Sequence, residues 1–420
     1  MHMLLFICYT LLLSFIITRL PWLRRSPLKM AAILTFFYIF VAAGCIHTWI
    51  AWNYYPNHGD IWEFFTNSFT TRQQLLTSFH TFWIHNNRLA DLPHNLIEWL
   101  HLVFNVASRD NLYINTLFFD FLALTGFIAL FETCYHRLNK DGCTATTALL
   151  LPSVLFWTAC IQTEGIVYSL LGWLFYILDD PRRSNTRPYR MIGATALTGF
   201  IIFQRPAIAI GLLPAIFIWI LANKDLTRRQ WLGIIGSITL LFVSAIIFAP
   251  SLFTPFFNTM ADRQAEFHTL PGKSRIYLPI LHPSFDSFIQ ILPNAAFNAF
   301  FQPMPGAGGQ SIYLAFTAEL AIIWLLIICS LVRCWIPAAK PLGSRSSSNL
   351  TSPFIAACLI FAIPPILLIG YIVPFVGAIV RYRSIYLPFL LIPFLHLLHC
   401  PFLARLNTWL NKNLIKPPHA

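Results

Sequence analysis

The chain has 420 residues, of which 57% are hydrophobic and only 10% are charged. A soluble domain carries roughly 25% charged residues, so this composition excludes a soluble globular protein and indicates one embedded in a lipid bilayer. The net charge of +12 would fit a nucleic-acid partner, but the positive charge is sorted along the chain in a way that excludes nucleic acid.

Apolar segments long enough to cross a bilayer, about 20 residues, recur throughout the chain. We therefore predict an all-α polytopic membrane protein with about eleven transmembrane helices. The predicted spans are 3–20, 30–52, 112–132, 144–160, 165–178, 191–203, 207–222, 231–249, 312–332, 353–373 and 384–400. Because 144–160 and 165–178 are short, a re-entrant pair is the alternative there. Residues 1–420 are predicted to form a single transmembrane domain.

Basic residues are concentrated in alternate loops of this predicted topology. Roughly two thirds of the 28 lysines and arginines lie on one side, in 21–29, 133–143, 179–190, 223–230, 333–352 and 401–420 or at the adjacent Arg19. Cytoplasmic loops of membrane proteins collect Lys and Arg. We therefore expect a multi-pass protein of the bacterial inner membrane, with its N-terminus in the periplasm and its C-terminus in the cytoplasm.

Two long loops, 53–111 and 250–311, then face the periplasm. The first contains amphipathic stretches at Gln74–Ile84 and His94–Val106, which favour interfacial helices. A long polar loop with carboxylates beside a membrane is where we expect the chemistry.

Asp60 is the first candidate catalytic residue, because it follows the second span closely. A carboxylate there can accept a proton from an attacking hydroxyl, or hold a divalent cation against a phosphate leaving group. The alternative is a structural role, capping a helix that begins near Ile61. Glu63 follows three residues later, a spacing that resembles a capping box.

Glu164 is the second candidate, in a short break between two apolar segments and close to Gln162. The alternative is an electrostatic interaction with the dipole of the next helix. Three arginines, Arg205, Arg381 and Arg383, lie in other short breaks. Guanidinium groups bind phosphate or carboxylate through paired hydrogen bonds, although arginines at such depths also reach towards lipid headgroups.

Histidines are frequent in the first long loop, and Glu98 and His101 have the i, i+3 spacing that some metal sites use. The remaining histidines have no ligand-like spacing, so hydrogen bonding at the membrane interface is the predicted role. The identity of any metal is unknown, and a divalent cation is the candidate cofactor.

This layout of acids, interfacial helices and short breaks resembles the GT-C membrane glycosyltransferases. More narrowly, the segments 151–158 with Glu164-Gly165, and 377–383, are similar to Bacteroidetes-type membrane proteins grouped with dolichyl-phosphate-mannose-type and lipopolysaccharide-core-type transferases. The resemblance implies transfer of a sugar from a polyprenyl phosphate to a glycan or lipid acceptor, with inversion at the anomeric carbon.

The resemblance also implies a role for each candidate residue. Asp60 would be the catalytic base, and Glu164 a second acid that assists the acceptor or a metal. Glu63 would contribute to substrate binding, while Arg205, Arg381 and Arg383 would hold the donor phosphate. The chain departs from the family pattern in one extra span, 3–20, before the first acid, and in the split spacing of Asp60 and Glu63.

Three other functions are compatible with the sequence. A polymerase of the O-antigen or exopolysaccharide type would depend on the arginines more than on Asp60. A transporter of lipid-linked glycans would require charged residues inside the spans, for which Asp120 and Glu319 are the candidates. A membrane acyltransferase with a histidine base is a third option, but no histidine is singled out for it.

Overall fold

The computed structural model describes residues 2–55, 59–86, 92–179, 187–222, 250–272, 274–307, 312–335, 353–398 and 401–417, with isolated residues between 229 and 244. Across these residues the secondary structure is helical, apart from two isolated antiparallel bridges, Leu28 with Ile415 and Arg275 with Phe375. The prediction of an all-α protein is confirmed.

The α-helices of the described residues are numbered here in chain order. They are α1 (His2–Arg19), α2 (Pro21–Arg25), α3 (Met30–Tyr54), α4 (Gly59–Thr77), α5 (Phe79–Asn86), α6 (Leu92–Ser108), α7 (Leu112–Arg137), α8 (Gly142–Leu149), α9 (Pro152–Thr158), α10 (Thr163–Asp179), α11 (Arg187–Gln204), α12 (Ala209–Ala222), α13 (Thr254–Thr269), α14 (Phe285–Phe301), α15 (Ile312–Trp335), α16 (Pro353–Ile372), α17 (Val376–Ser384), α18 (Leu387–Leu397) and α19 (Pro401–Leu414).

Five of these helices, α1, α3, α7, α15 and α16, are long and apolar enough to cross a membrane. Two further pairs meet the same test together but are bent, α9–α10 by 107° and α17–α18 by 64°. The chain is therefore a multi-pass membrane protein with five to seven candidate spans among the described residues. The predicted number of about eleven is not confirmed and stays a prediction.

Most of the predicted spans coincide with observed helices. The segments 191–203 and 207–222 correspond to α11 and α12, which are not among the five single-helix candidates. The segment 231–249 lies almost entirely outside the described residues.

The chain divides into two compact units, Met1–Ala207 with Cys400–Ala420, and Ile208–His399. In unit 1, α7 packs directly against α10. A Cβ atom at Gly172 would lie 2.0 Å from the carbonyl oxygen of Gly126, so the two backbones touch with no side chain between them. Small residues at helix crossings permit this close packing in membrane proteins.

The first long loop, 53–111, folds into α4, α5 and α6 within unit 1. The predicted interfacial helix His94–Val106 lies within α6, which is not one of the candidate spans. The other prediction, Gln74–Ile84, covers a junction, because α4 ends at Thr77 and α5 begins at Phe79. The first long loop therefore contributes the three helices α4, α5 and α6 to unit 1, in addition to the candidate spans.

The second long loop, 250–311, contains α13 and α14 within unit 2. Gln264 of α13 is buried, and its amide donates to the carbonyl oxygens of Pro279 (3.0 Å) and Tyr371 (2.7 Å). After α14 the chain turns, with Gly306 in the left-handed region at a φ of 84°. This loop is thus anchored on α16 by a hydrogen bond from the buried Gln264 side chain to the main chain of Tyr371.

Candidate functional site

The sharpest irregularity in unit 1 is the 107° bend between α9 and α10, which encloses residues 159–162. Pro152 starts α9, where its missing N–H costs no hydrogen bond. Gly165 permits the tight return, because a Cβ atom there would lie 2.5 Å from the carbonyl oxygen of Thr158. We call residues 159–162 the helix break.

Glu164 lies in the first turn of α10, directly after the helix break, and its side chain is 0% exposed. The Nη2 group of Arg205, which follows α11, donates a hydrogen bond to Oε1 of Glu164. The Arg205 side chain remains 23% exposed. A fully buried carboxylate is thus joined to a guanidinium that reaches the surface of unit 1.

Two buried amides flank this ion pair in the sequence. Gln162 precedes Glu164 and is 3% exposed, while Gln204 precedes Arg205 and is 6% exposed. Among the described residues, neither Oε1 of Gln162 nor either amide atom of Gln204 has a hydrogen-bond partner. Because buried polar atoms almost always have partners, these amides mark a place where a polar ligand would complete the hydrogen bonding.

Asp60 lies in the first turn of α4 and is half-buried. Because α4 begins at Gly59 and not near Ile61, Asp60 lies inside the first turn and not before it, where its carboxylate interacts favourably with the helix dipole. The next residue, Ile61, belongs to one hydrophobic cluster with Cys160, Ile161 and Ile166. The beginning of α4 and the helix break therefore pack on the same core.

Glu63 has an exposed side chain on α4. Its carbonyl oxygen accepts a hydrogen bond from the Thr66 hydroxyl at 3.1 Å. Of the two acids at the start of α4, Asp60 is thus the one held closer to the protein interior.

Glu98 and His101 of α6 are buried and bind separate partners. The Glu98 carboxylate accepts from Asn67 at 3.0 Å and from Thr71 at 3.3 Å, which joins α6 to α4. The Asn115 amide donates to Nδ1 of His101 at 2.8 Å, which joins α6 to α7. Within the described part of the chain, no group of three or more His, Cys, Asp and Glu side chains is arranged to hold a metal ion.

The environment of His101 keeps its imidazole neutral. Its ring packs between Phe65 and Phe119, and burial lowers its pKa from 6.5 to about 3. Nδ1 accepts the amide hydrogen of Asn115, so the proton of the neutral ring is on Nε2. His101 is therefore a component of the structural network rather than a candidate base.

The remaining two arginines lie in α17 of unit 2. Arg383 is buried, donates from Nη1 to the Ala299 carbonyl oxygen at 2.8 Å, and interacts electrostatically with Glu319. Arg381 is half-buried, and its guanidinium carbon lies 5.6 Å from the centre of the Tyr382 ring. Arg383 thus helps to join α17 to α14, whereas Arg381 is the more accessible of the two.

Comparisons with protein families, with curated proteins and with solved structures find no match to this chain.

Proposed function

We propose that the chain is an integral membrane glycosyltransferase that moves a sugar from a polyprenyl-phosphate donor to a glycan or lipid acceptor. The observation that carries the proposal is the ion pair between the buried Glu164 and the partly exposed Arg205 beside the helix break, with the buried amides Gln162 and Gln204 next to it in the sequence. Amides and carboxylates bind sugar hydroxyls, and guanidinium groups bind phosphate. These are the two recognition tasks that a lipid-linked sugar donor imposes.

In this proposal the carboxylates have different roles. Asp60 is the general base that accepts the proton of the acceptor hydroxyl, since it is half-buried and less enclosed than Glu164. Glu164 is fully buried and paired, so it orients Arg205 and the bound sugar. Arg205, with its partly exposed guanidinium, contacts the donor phosphate.

Arg381 and Arg383 are proposed to act in phosphate binding within unit 2. Their surroundings favour a different role for each of them. Arg383 is already engaged with the Ala299 carbonyl and with Glu319, which favours a positioning role for it. Arg381 is more accessible and is the better candidate for direct contact with a phosphate group. Glu63, exposed on α4, is proposed to contact the substrate at its periphery.

The orientation derived from the basic loops belongs to the same proposal. The bacterial inner membrane would hold the chain with its N-terminus and both long loops in the periplasm and its C-terminus in the cytoplasm. The acceptor would then be extended on the periplasmic face.

The test uses the purified full chain in lipid nanodiscs with a panel of undecaprenyl-phosphate-linked hexoses and pentoses as donors and a bacterial envelope extract as the source of glycan and lipid acceptors. Release of undecaprenyl phosphate and retention or inversion in the product are measured. Removing a general base lowers the rate by about 10²–10⁴-fold, and we expect Asp60→Asn to fall in this range. The matched control is Glu266→Gln, which alters an exposed acid on α13.

The same assay separates a transferase from a polymerase. If Arg381→Ala abolishes product while Asp60→Asn leaves it unchanged, the transferase mechanism is wrong and the polymerase is favoured. The transporter is tested in sealed proteoliposomes: if the intact lipid-linked sugar crosses the bilayer without loss of its sugar, the chain is a transporter.

A further inference from the structure

Asp120 lies within α7, a candidate membrane span, and its side chain is 0% exposed. Among the described residues, neither carboxyl oxygen has a hydrogen-bond partner. An ionised carboxylate in such surroundings is far more costly than a neutral acid, unless a cation is bound to it. Asp120 therefore requires either a proton or a metal cation.

The space beside Asp120 is formed by α3 and the helix break. A Cβ atom at Gly44 would lie 2.4 Å from Oδ2 and 2.6 Å from Oδ1 of Asp120, and 2.8 Å from the carbonyl oxygen of Ala159. The carboxyl group and this carbonyl thus approach the same point beside Gly44. A glycine is needed there because any side chain would displace the carboxyl group or the helix break.

The titratable groups on the elements around this point leave Asp120 without a compensating positive charge. On α3, Cys45 is within electrostatic range of Asp120, and Nδ1 of His47 donates to the Phe156 carbonyl at 2.6 Å. On α10, Glu164 is paired with Arg205. Within the described residues, no basic side chain pairs with Asp120.

The oxygen atoms near Asp120 favour a proton over a metal cation. Hard cations such as Ca²⁺ take about 6–8 oxygen ligands, whereas a proton needs one donor and one acceptor. The oxygen that shares this space is the Ala159 carbonyl. The nearest buried hydroxyls along α3 and α7, those of Thr48 and Thr116, are one turn away and bond each other at 3.1 Å.

We propose that Asp120 is a proton-binding site at the helix break, occupied at neutral pH. The proton resides on the Asp120 carboxyl group, and the Ala159 carbonyl is the acceptor that it reaches after a small shift. Broken helices in membrane proteins bind ions through unwound carbonyls in this way. The site does not depend on glycosyl transfer, and it places a protonatable group on the segment that precedes Glu164.

The experiment is infrared difference spectroscopy of the purified full chain, wild type minus Asp120→Asn, at pH 7 in sodium-containing and in choline buffer. The C=O stretch of a protonated carboxyl group lies at a higher frequency than the amide I band. This C=O stretch shifts when H₂O is replaced by D₂O. In the wild type we expect a C=O band whose intensity corresponds to one protonated carboxyl group per chain. Its intensity should be the same in the sodium-containing and the choline buffer. The matched control is Asp110→Asn, which removes an exposed carboxylate paired with Arg72 and should remove only carboxylate bands.

Two results would overturn the site. Carboxylate bands from Asp120 in choline buffer would show that it is ionised, and loss of the C=O band on adding sodium would show a metal-cation site. If Asp120→Asn does not fold, modification of the wild-type chain by dicyclohexylcarbodiimide replaces the difference spectrum, since the reagent attacks protonated carboxyl groups. Modification of Asp120 at pH 7 supports the proposal; modification only in acid, or none, refutes it.

Discussion

At the residue scale, the absence of a side chain at Gly44 leaves the space that the Asp120 carboxyl group occupies inside unit 1. Gly44→Ala would place a methyl group 2.4 Å from Oδ2 of Asp120, and such overpacking costs about 1–3 kcal/mol of folding free energy. Shortening the neighbour in the double variant Gly44→Ala/Asp120→Ala removes the two shortest contacts of the methyl group and leaves the one with the carbonyl oxygen of Ala159, at 2.8 Å. We expect the double variant to unfold at a higher temperature than additivity of the two single variants predicts.

The measurement is a double-mutant cycle from thermal unfolding in detergent micelles. Gly199→Ala on α11 is a suitable control, because among the described residues a Cβ atom there meets nothing within 4 Å. Additive effects of the two substitutions would show that Asp120 does not occupy the space beside Gly44.

His101 predicts a pH dependence of stability. Its pKa is about 3 in the folded state, against 6.5 without burial, so the unfolded chain binds more protons between these values. The contribution of the neutral His101 ring to the free energy of unfolding is therefore complete above pH 6.5 and is lost as the pH falls towards 3. Over this range the free energy of unfolding changes by up to about 1.4 kcal/mol per pH unit. Thermal unfolding between pH 7.5 and 4.5 measures it.

The variant His101→Gln removes the titrating ring while retaining an amide oxygen that can accept from Asn115. We expect its unfolding temperature to depend less on pH than that of the wild type. An equal pH dependence in the two proteins would place the titrating group elsewhere.

At the scale of elements, an ion pair joins the start of α10, next to the helix break, to the end of α11. Its two side chains differ in their exposure to solvent. Arg205→Gln leaves a carboxylate at 0% exposure, whereas Glu164→Gln leaves a guanidinium that is already 23% exposed. Losing a hydrogen bond to a charged group costs about 1.5–3 kcal/mol. We therefore expect Arg205→Gln to be the more destabilising of the two.

Thermal unfolding of both single variants and of the double variant Glu164→Gln/Arg205→Gln tests this asymmetry. The double variant carries no unpaired charge, so it should be more stable than Arg205→Gln. If the two single variants lower the unfolding temperature equally, the burial of Glu164 is not the reason that the ion pair stabilises the fold.

The elements themselves were predictable where hydrophobicity decides them. The candidate spans α3 and α7 follow the apolar segments 30–52 and 112–132 closely, because crossing a bilayer requires a long apolar helix. A short break between 160 and 165 was predicted from its polar residues, with a re-entrant pair as the alternative, but the 107° bend was not, because it depends on how α9 and α10 pack.

Contacts between distant residues were not predictable in the same way. Each residue of the Glu164–Arg205 pair was selected for its position in a short break, but their contact spans 41 residues. Asp120 was visible only as a charge within a span. The placement of Gly44 beside it depends on how α3 crosses α7, which local composition does not encode.

At the scale of the whole molecule, the distribution of basic residues predicts the orientation in the membrane. Glu266 is exposed on α13 within the predicted periplasmic loop 250–311, and Arg405 is exposed on α19 within the predicted cytoplasmic tail. Cysteines at these positions in the full chain should react differently with a membrane-impermeant maleimide. We expect Glu266→Cys to be labelled in intact cells and Arg405→Cys only after permeabilisation.

The unsubstituted chain, which has nine cysteines, sets the background of this labelling. A reversed pattern would mean that the basic loops face the periplasm, and the proposed position of the acceptor would be wrong. Labelling of both positions in intact cells would mean that 250–311 and the tail share one side. Since the positive-inside rule acts on short loops near the spans, that outcome would contradict the alternation of loops and with it the predicted topology.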